Sequence, residues 1–143
     1  MEWDASAAAR AKPAAEDNLK EDAMKIAVAA DKQDKNAKID PRFGRAQFFA
    51  VFDDGRNEYE FASNKQNLSL PQGAGIQAAK SVIDTGAGIL IAKNVGPKAY
   101  DLLSSSGVDI FICKTEVSIS EAIDLYKKGE LEKLDSANAE GHW

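Results

Sequence analysis

The stretch Asp40-Pro41-Arg42-Phe43-Gly44-Arg45-Ala46 holds the residue types in this chain best suited to chemistry. Arg42 and Arg45 flank a Phe-Gly pair, just after a proline and just before a strand rich in phenylalanine. A guanidinium offers a planar fork of donors that suits multiply charged anions, and glycine lets backbone come close to a ligand. The plainer alternative is a loop that closes on the core through Phe43 and leaves both arginines solvated. Which applies depends on where the fold puts this loop, and so on the elements around it.

At 143 residues with 44% apolar content, the chain suits one globular domain with one core. No apolar run approaches the ~20 residues of a membrane span, so no membrane partner is expected. The net charge of −5 argues against a general nucleic-acid binder. Cys113 is the single cysteine, which excludes an internal disulfide and a structural cysteine-based zinc site. With no secretory signal in view, a cytoplasmic location is the expectation.

Residues 1–23, with alanines around Pro13 and then the mostly polar run Glu16 to Asp22, read as a loosely ordered extension. Residues 24–134 read as the binding domain, and residues 135–143 as a polar tail. Within the domain, Ile26 to Ala30, Phe48 to Phe52, Ile89 to Ala92 and Val108 to Cys113 are short apolar runs of strand length. Tyr59 and Phe61 alternate with Glu58 and Glu60, as expected of an edge strand wet on one face, and Asp54-Gly55 signals a tight turn before it. One helix follows Gly73-Ala74-Gly75, with Ile76, Ala79, Val82 and Ile83 as its apolar stripe. A second starts at Gly96-Pro97, with proline in a favourable first-turn position. A third has Ser118 as N-cap, Glu121 completing a capping box, and Gly129 as terminator.

The order β-β-β-α-β-α-β-α implies an α/β fold with a mixed five-stranded sheet, spatial order 3-2-1-4-5, only the second strand antiparallel, and three helices. Open α/β sheets bind ligands at the carboxyl ends of their parallel strands. That end should carry the loops 31–45, 64–75, 93–98 and 113–117. They contain nine positive residues (Lys32, Lys35, Lys38, Arg42, Arg45, Lys65, Lys93, Lys98, Lys114) and four negative ones (Asp31, Asp34, Asp40, Glu116). The rim is therefore +5 and the rest of the chain −10, which together give the overall −5. Such a distribution funnels anions toward the rim. Helix N-termini at Gly75 and Pro97 would add free backbone N–H groups there.

The run Met24-Lys25-Ile26-Ala27-Val28, then Phe43-Gly44-Arg45-Ala46, Gly73 to Ala79, Gly96-Pro97-Lys98-Ala99 and the Ser118-to-Gly129 helix resemble, in order and spacing, the dinitrogenase iron–molybdenum cofactor biosynthesis family. The resemblance covers roughly residues 24–134. It implies a ribonuclease-H-like three-layer fold and a non-enzymatic carrier or scaffold for a metal–sulfur cluster, with molybdenum and a second metal, iron or copper. Cofactor-assembly or acceptor proteins would be its partners. The cluster-binding residues would be Arg42, Phe43, Gly44, Arg45, Gly73, Gly75, Lys93, Gly96 and Lys98. Many members carry His where this chain has Arg42. Imidazole ligates metals, whereas guanidinium holds an anion only by charge and hydrogen bonds, so outer-sphere capture is the expectation here.

Cys113 at the rim reads as a small core hydrophobe or as a thiolate touching the metal. Asp31 ends the first strand where a nuclease would keep a carboxylate, but two-metal chemistry needs several, and Lys93 and Cys113 occupy the other strand ends. Gly73-Ala74-Gly75 lacks the endings of nucleotide loops. A metal-free interaction module and a phosphate or nucleotide binder are the other readings of the same rim.

Overall fold

The computed structural model describes residues 25–65 and 73–136, so the expected extension over 1–23 and most of the expected tail lie outside the described residues. β1 (Lys25–Ala30), β2 (Phe48–Asp53), β3 (Glu58–Ser63), β4 (Ile89–Ala92) and β5 (Asp109–Ile112) form where the apolar runs predict them. β2 is antiparallel to both β1 and β3, while β4 and β5 run parallel to β1. The helices are α1 (Ala74–Asp84), α2 (Pro97–Ser105) and α3 (Ile119–Lys127).

Among the described residues the sheet has six strands, not five. Glu132–Lys133 forms β6, antiparallel to β5 at the far edge, so that the order is 3-2-1-4-5-6. Both of its residues are exposed, so no apolar alternation announces a strand there. Its hold is backbone pairing, extended by Leu134 N–H donating to the Ile110 carbonyl at 2.8 Å.

Alternation along β1 divides the interior into two cores. Ala27 and Ala29 face α1 and α2 together with Phe43, Phe49 and Leu90. Ile26, Val28 and Ala30 face α3 with Phe48, Phe52 and Ile119. The molecule thus has three layers, helices on each face of the sheet. The buried face of α1 is narrower than its apolar residues imply: Ala74, Gly75, Ala78, Ala79 and Val82 are buried, whereas Ile76 and Ile83 are only half-buried. Small residues let the helix sit close to its neighbours, so the larger isoleucines fall at the margin. The hairpin also differs from a two-residue turn. Asp53 pairs with Glu58, residues 54–57 form the loop, and the left-handed conformation is taken by Asn57 (φ 56°).

The capping box on α3 is complete. Ser118 Oγ accepts the Glu121 N–H at 3.2 Å, and Glu121 Oε1 accepts the Ser118 N–H at 2.9 Å. Hydrogen bonding to Ser118 holds the Glu121 carboxyl below its ordinary pKa. Folding therefore favours the ionised form, a stabilisation present above the ordinary glutamate value and lost as pH falls through the depressed one. Urea denaturation of Glu121→Gln beside the parent should show their stability difference shrinking as pH falls through and below the ordinary glutamate range. Ser118→Ala should cost about 1 kcal/mol at neutral pH.

Candidate functional site

The parallel register places Ala30, Ala92 and Ile112 at one end of the sheet, and Ser63, opposite Phe48, ends there too. Every loop that follows these residues therefore starts at the same end. The loop after β1 crosses the top of the sheet. Its first half turns toward α3: Ile119 N–H donates to the Ala37 carbonyl at 2.9 Å, Ser120 N–H to the Lys35 carbonyl at 3.0 Å, and Ile39 N–H to the Val117 carbonyl at 3.4 Å. Its second half dives into the other core, where Phe43 is fully buried and packs at 5.3 Å from Phe49.

Phe43–Arg45 form one turn of 3-10 helix against α1. Polar contacts from Asp40 and Asn64 hold this turn. Asp40, 5% exposed, takes the Ala29 carbonyl with its own N–H at 2.9 Å, and its Oδ1 accepts the Arg42 N–H at 2.9 Å. The same oxygen lies 3.6 Å from Arg42 Nε, which biases the direction of a guanidinium that stays 60% exposed. Asn64, fully buried at the end of β3, donates through Nδ2 to the Ala46 carbonyl at 2.7 Å and to the Gly44 carbonyl at 3.4 Å. Sequence pattern does not announce the structural roles of Asp40 and Asn64, because a buried carboxylate or amide in a loop looks like any other turn residue. The signal that marks Asn64 is its position directly after an edge strand whose partner leads back to the Phe-Gly turn. Asn64→Leu should leave the Ala46 carbonyl without this donor and cost about 1–3 kcal/mol in urea denaturation.

The β4–α2 loop meets the arginine loop: Asn94 Nδ2 donates to the Pro41 carbonyl at 3.4 Å, across 53 residues of sequence. Arg42, Arg45, Lys93 and Lys98 thus belong to two adjoining loops at one end of the molecule. Arg42 and Lys98 are exposed, and Arg45 and Lys93 are half-buried and engaged in contacts of their own. Two helices begin beside them. Gly73, in the left-handed region at φ 82°, precedes α1, and Gly96 precedes α2; neither N-terminus carries a side-chain cap. Gly44, Gly75 and Gly96 are buried, whereas an added Cβ at Gly73 would meet no atom within 4 Å. α3, by contrast, satisfies its own first turn.

The charge of the rim is split by the crossing of the loop. Lys38 pairs with Glu116 at 3.5 Å and Lys114 with Glu132 at 3.7 Å, while Lys35 lies over the Tyr59 ring at 5.8 Å and Lys65 over Phe48 at 5.0 Å. Lys35, Lys38 and Lys65 attend the α3 side, where residues from Asp31 to Lys38 line a polar depression of about 400 Å³, while Lys114 pairs with β6 at the far sheet edge. Cys113 is 1% exposed in the α3-side core, its thiol 3.7 Å from the Thr115 carbonyl, and so fills the place of a small hydrophobe. Among the described residues, no group of three or more His, Cys, Asp or Glu side chains is placed to hold a metal ion. No helix among them is long and apolar enough to cross a membrane.

Residues 24–129 match the dinitrogenase iron-molybdenum cofactor family, and the chain belongs to it. An uncharacterised protein of Methanocaldococcus jannaschii is 32% identical over 119 residues, which are 82% of this chain and 97% of that one. Among solved structures, the apo form of the orange protein from Desulfovibrio gigas superposes with a TM-score of 0.79 at 32% identity, covering 81% of this chain and 97% of that chain. A Thermotoga protein described as a candidate NifB protein gives 0.71 at 29% identity, covering 82% and 99%.

Proposed function

We propose that this protein is a non-enzymatic carrier or scaffold for an anionic metal–sulfur cluster that contains molybdenum with iron or copper as second metal. The observation that carries the reading is the contact between Asn94 and the Pro41 carbonyl, which joins the Arg42/Arg45 loop to the Lys93/Lys98 loop beside two helix N-termini without side-chain caps. A polyanion there would meet guanidinium forks, lysine charge and first-turn backbone N–H groups at once. The cargo is held by its outer atoms; Phe43 and Asn64 act on it only by holding the turn that presents the arginines.

Membership in the iron–molybdenum cofactor family supports the nature of the cargo, and the solution of the orange protein in an apo form fits a protein class that loads and unloads a group. The strand order 3-2-1-4-5 at the heart of the sheet, extended here by β6, supports the reading of a ribonuclease-H-like fold. In this reading the protein works in the cytoplasm and passes its cargo to cofactor-assembly or acceptor proteins, not to nucleic acid or membrane. Elemental analysis and visible absorption of gently purified protein test the reading. Molybdenum and sulfur that co-purify with a visible chromophore support it, and protein that stays colourless and metal-free even after incubation with thiomolybdate and a second metal overturns it.

A further inference from the structure

The edge opposite β6 carries a surface with a different chemistry. β3 is the outermost strand on its side of the sheet, among the described residues. Asn64 N–H donates to the Gln47 carbonyl at 2.8 Å, and the register of Phe48 with Ser63 puts Gln47 directly opposite Asn64. In an antiparallel ladder, hydrogen-bonded and non-bonded pairs alternate. Residues 58, 60, 62 and 64 therefore direct their backbone groups at β2, and Tyr59, Phe61 and Ser63 direct theirs outward to the open edge.

The two faces flanking that edge differ in chemistry, one aromatic and one rich in carboxylates. On the α3 side, Tyr59 and Phe61 are half-buried aromatics, Lys35 lies over the Tyr59 ring at 5.8 Å, and Lys65 lies over neighbouring Phe48 at 5.0 Å. On the other side, Glu58 and Glu60 are exposed and border a groove of about 480 Å³ together with Lys25, Val51, Asp53, Gly55 and Arg56. Arg56 is occupied by Asp53, its Nε 4.0 Å from the carboxylate, while neither Glu58 nor Glu60 forms an ion pair among the described residues.

From this we infer that β3 is a docking strand for an extended segment of a partner protein in which apolar residues alternate with lysine or arginine. The segment would pair through the outward N–H and C=O groups of Tyr59, Phe61 and Ser63. Its apolar residues cover Tyr59 and Phe61, and its basic residues reach Glu58 and Glu60 in the groove. Lys35 and Lys65 disfavour cations on the aromatic face, where Asp124 also acts on Tyr59, so one phase of the alternation is favoured over the other. The same glutamates disfavour a second copy of this chain, since edge-to-edge pairing would bring carboxylates of both copies to one face.

The test uses the 15N-labelled full chain and end-blocked six-residue peptides. A peptide alternating valine with lysine should shift the amide signals of Tyr59, Phe61 and Ser63. N-methylation of one alternate set of its peptide nitrogens should abolish binding, and N-methylation of the other set should leave it. Glu58→Lys with Glu60→Lys, both exposed positions, should weaken that peptide roughly tenfold and favour its glutamate-for-lysine counterpart. No shift at millimolar peptide, shifts confined to other surfaces, or indifference to N-methylation would each overturn the inference. Concentration-dependent shifts of the same amides without peptide would assign the edge to a second copy instead and overturn the choice of partner.

Discussion

Phe43→Ala should destabilise the protein by about 3–5 kcal/mol, the usual cost of truncating a fully buried phenylalanine. Domains of this size hold only about 5–15 kcal/mol in total, so the variant should sit near the edge of folding at room temperature. The expected size follows from where the ring is. Phe43 is wholly buried, stacked obliquely on Phe49 at 5.3 Å, and lies in the same cluster as Ala78, Ala79 and Leu90. Removing it leaves a void under the turn, and half of the other buried residues in the cluster are alanines with little side chain to fill it. Thermal and urea unfolding should report the loss directly. Phe43→Leu, which keeps most of the volume, should cost clearly less. Equal stabilities for Phe43→Ala and the parent would mean that the ring is not an anchor of the loop.

The second large effect concerns the cargo. Arg42→Ala combined with Arg45→Ala should leave the fold intact, because Arg42 is 60% exposed and neither side chain belongs to a core cluster. It should weaken retention of an added thiomolybdate cluster by about 2 kcal/mol, roughly thirtyfold. The figure is kept small because the Arg42 charge is already screened by water and partly engaged by Asp40 at 3.6 Å. Retention by the parent should also fall with added salt more steeply than that of the double variant, since an outer-sphere anion site works by charge. Equilibrium dialysis with metal analysis at two ionic strengths separates this from a general loss of folding.

Much of this architecture is legible in the chain. Short apolar runs bounded by glycine, proline and aspartate place β1 to β5, and the Ser118/Glu121 pair fixes the start of α3. The topology then follows from connection rules, and with it the end of the sheet where the arginines gather. What is not legible depends on partners distant in sequence. β6 exists because β5 has an unpaired edge, not because Glu132 and Lys133 favour a strand. Asp40 and Asn64 owe their roles to burial, which a loop sequence does not announce. The nine rim cations look alike in the chain, yet Lys114 pairs with Glu132 at the far sheet edge, and the crossing of the 31–47 loop assigns Lys35 and Lys38 to Tyr59 and Glu116 on the α3 side. The arginine pair is left with Lys93 and Lys98 on the other.

The central claim is that an inorganic polyanion seats where those two loops adjoin. Titrating 15N-labelled protein with thiomolybdate, alone and with copper or iron salt, while following backbone amides reads this residue by residue. Saturable shifts are expected at residues 42–45, 73–75 and 93–98, reduced in the double arginine variant. Saturable shifts centred on the 54–57 hairpin or the β3 edge, with residues 42–45 unmoved, would contradict it.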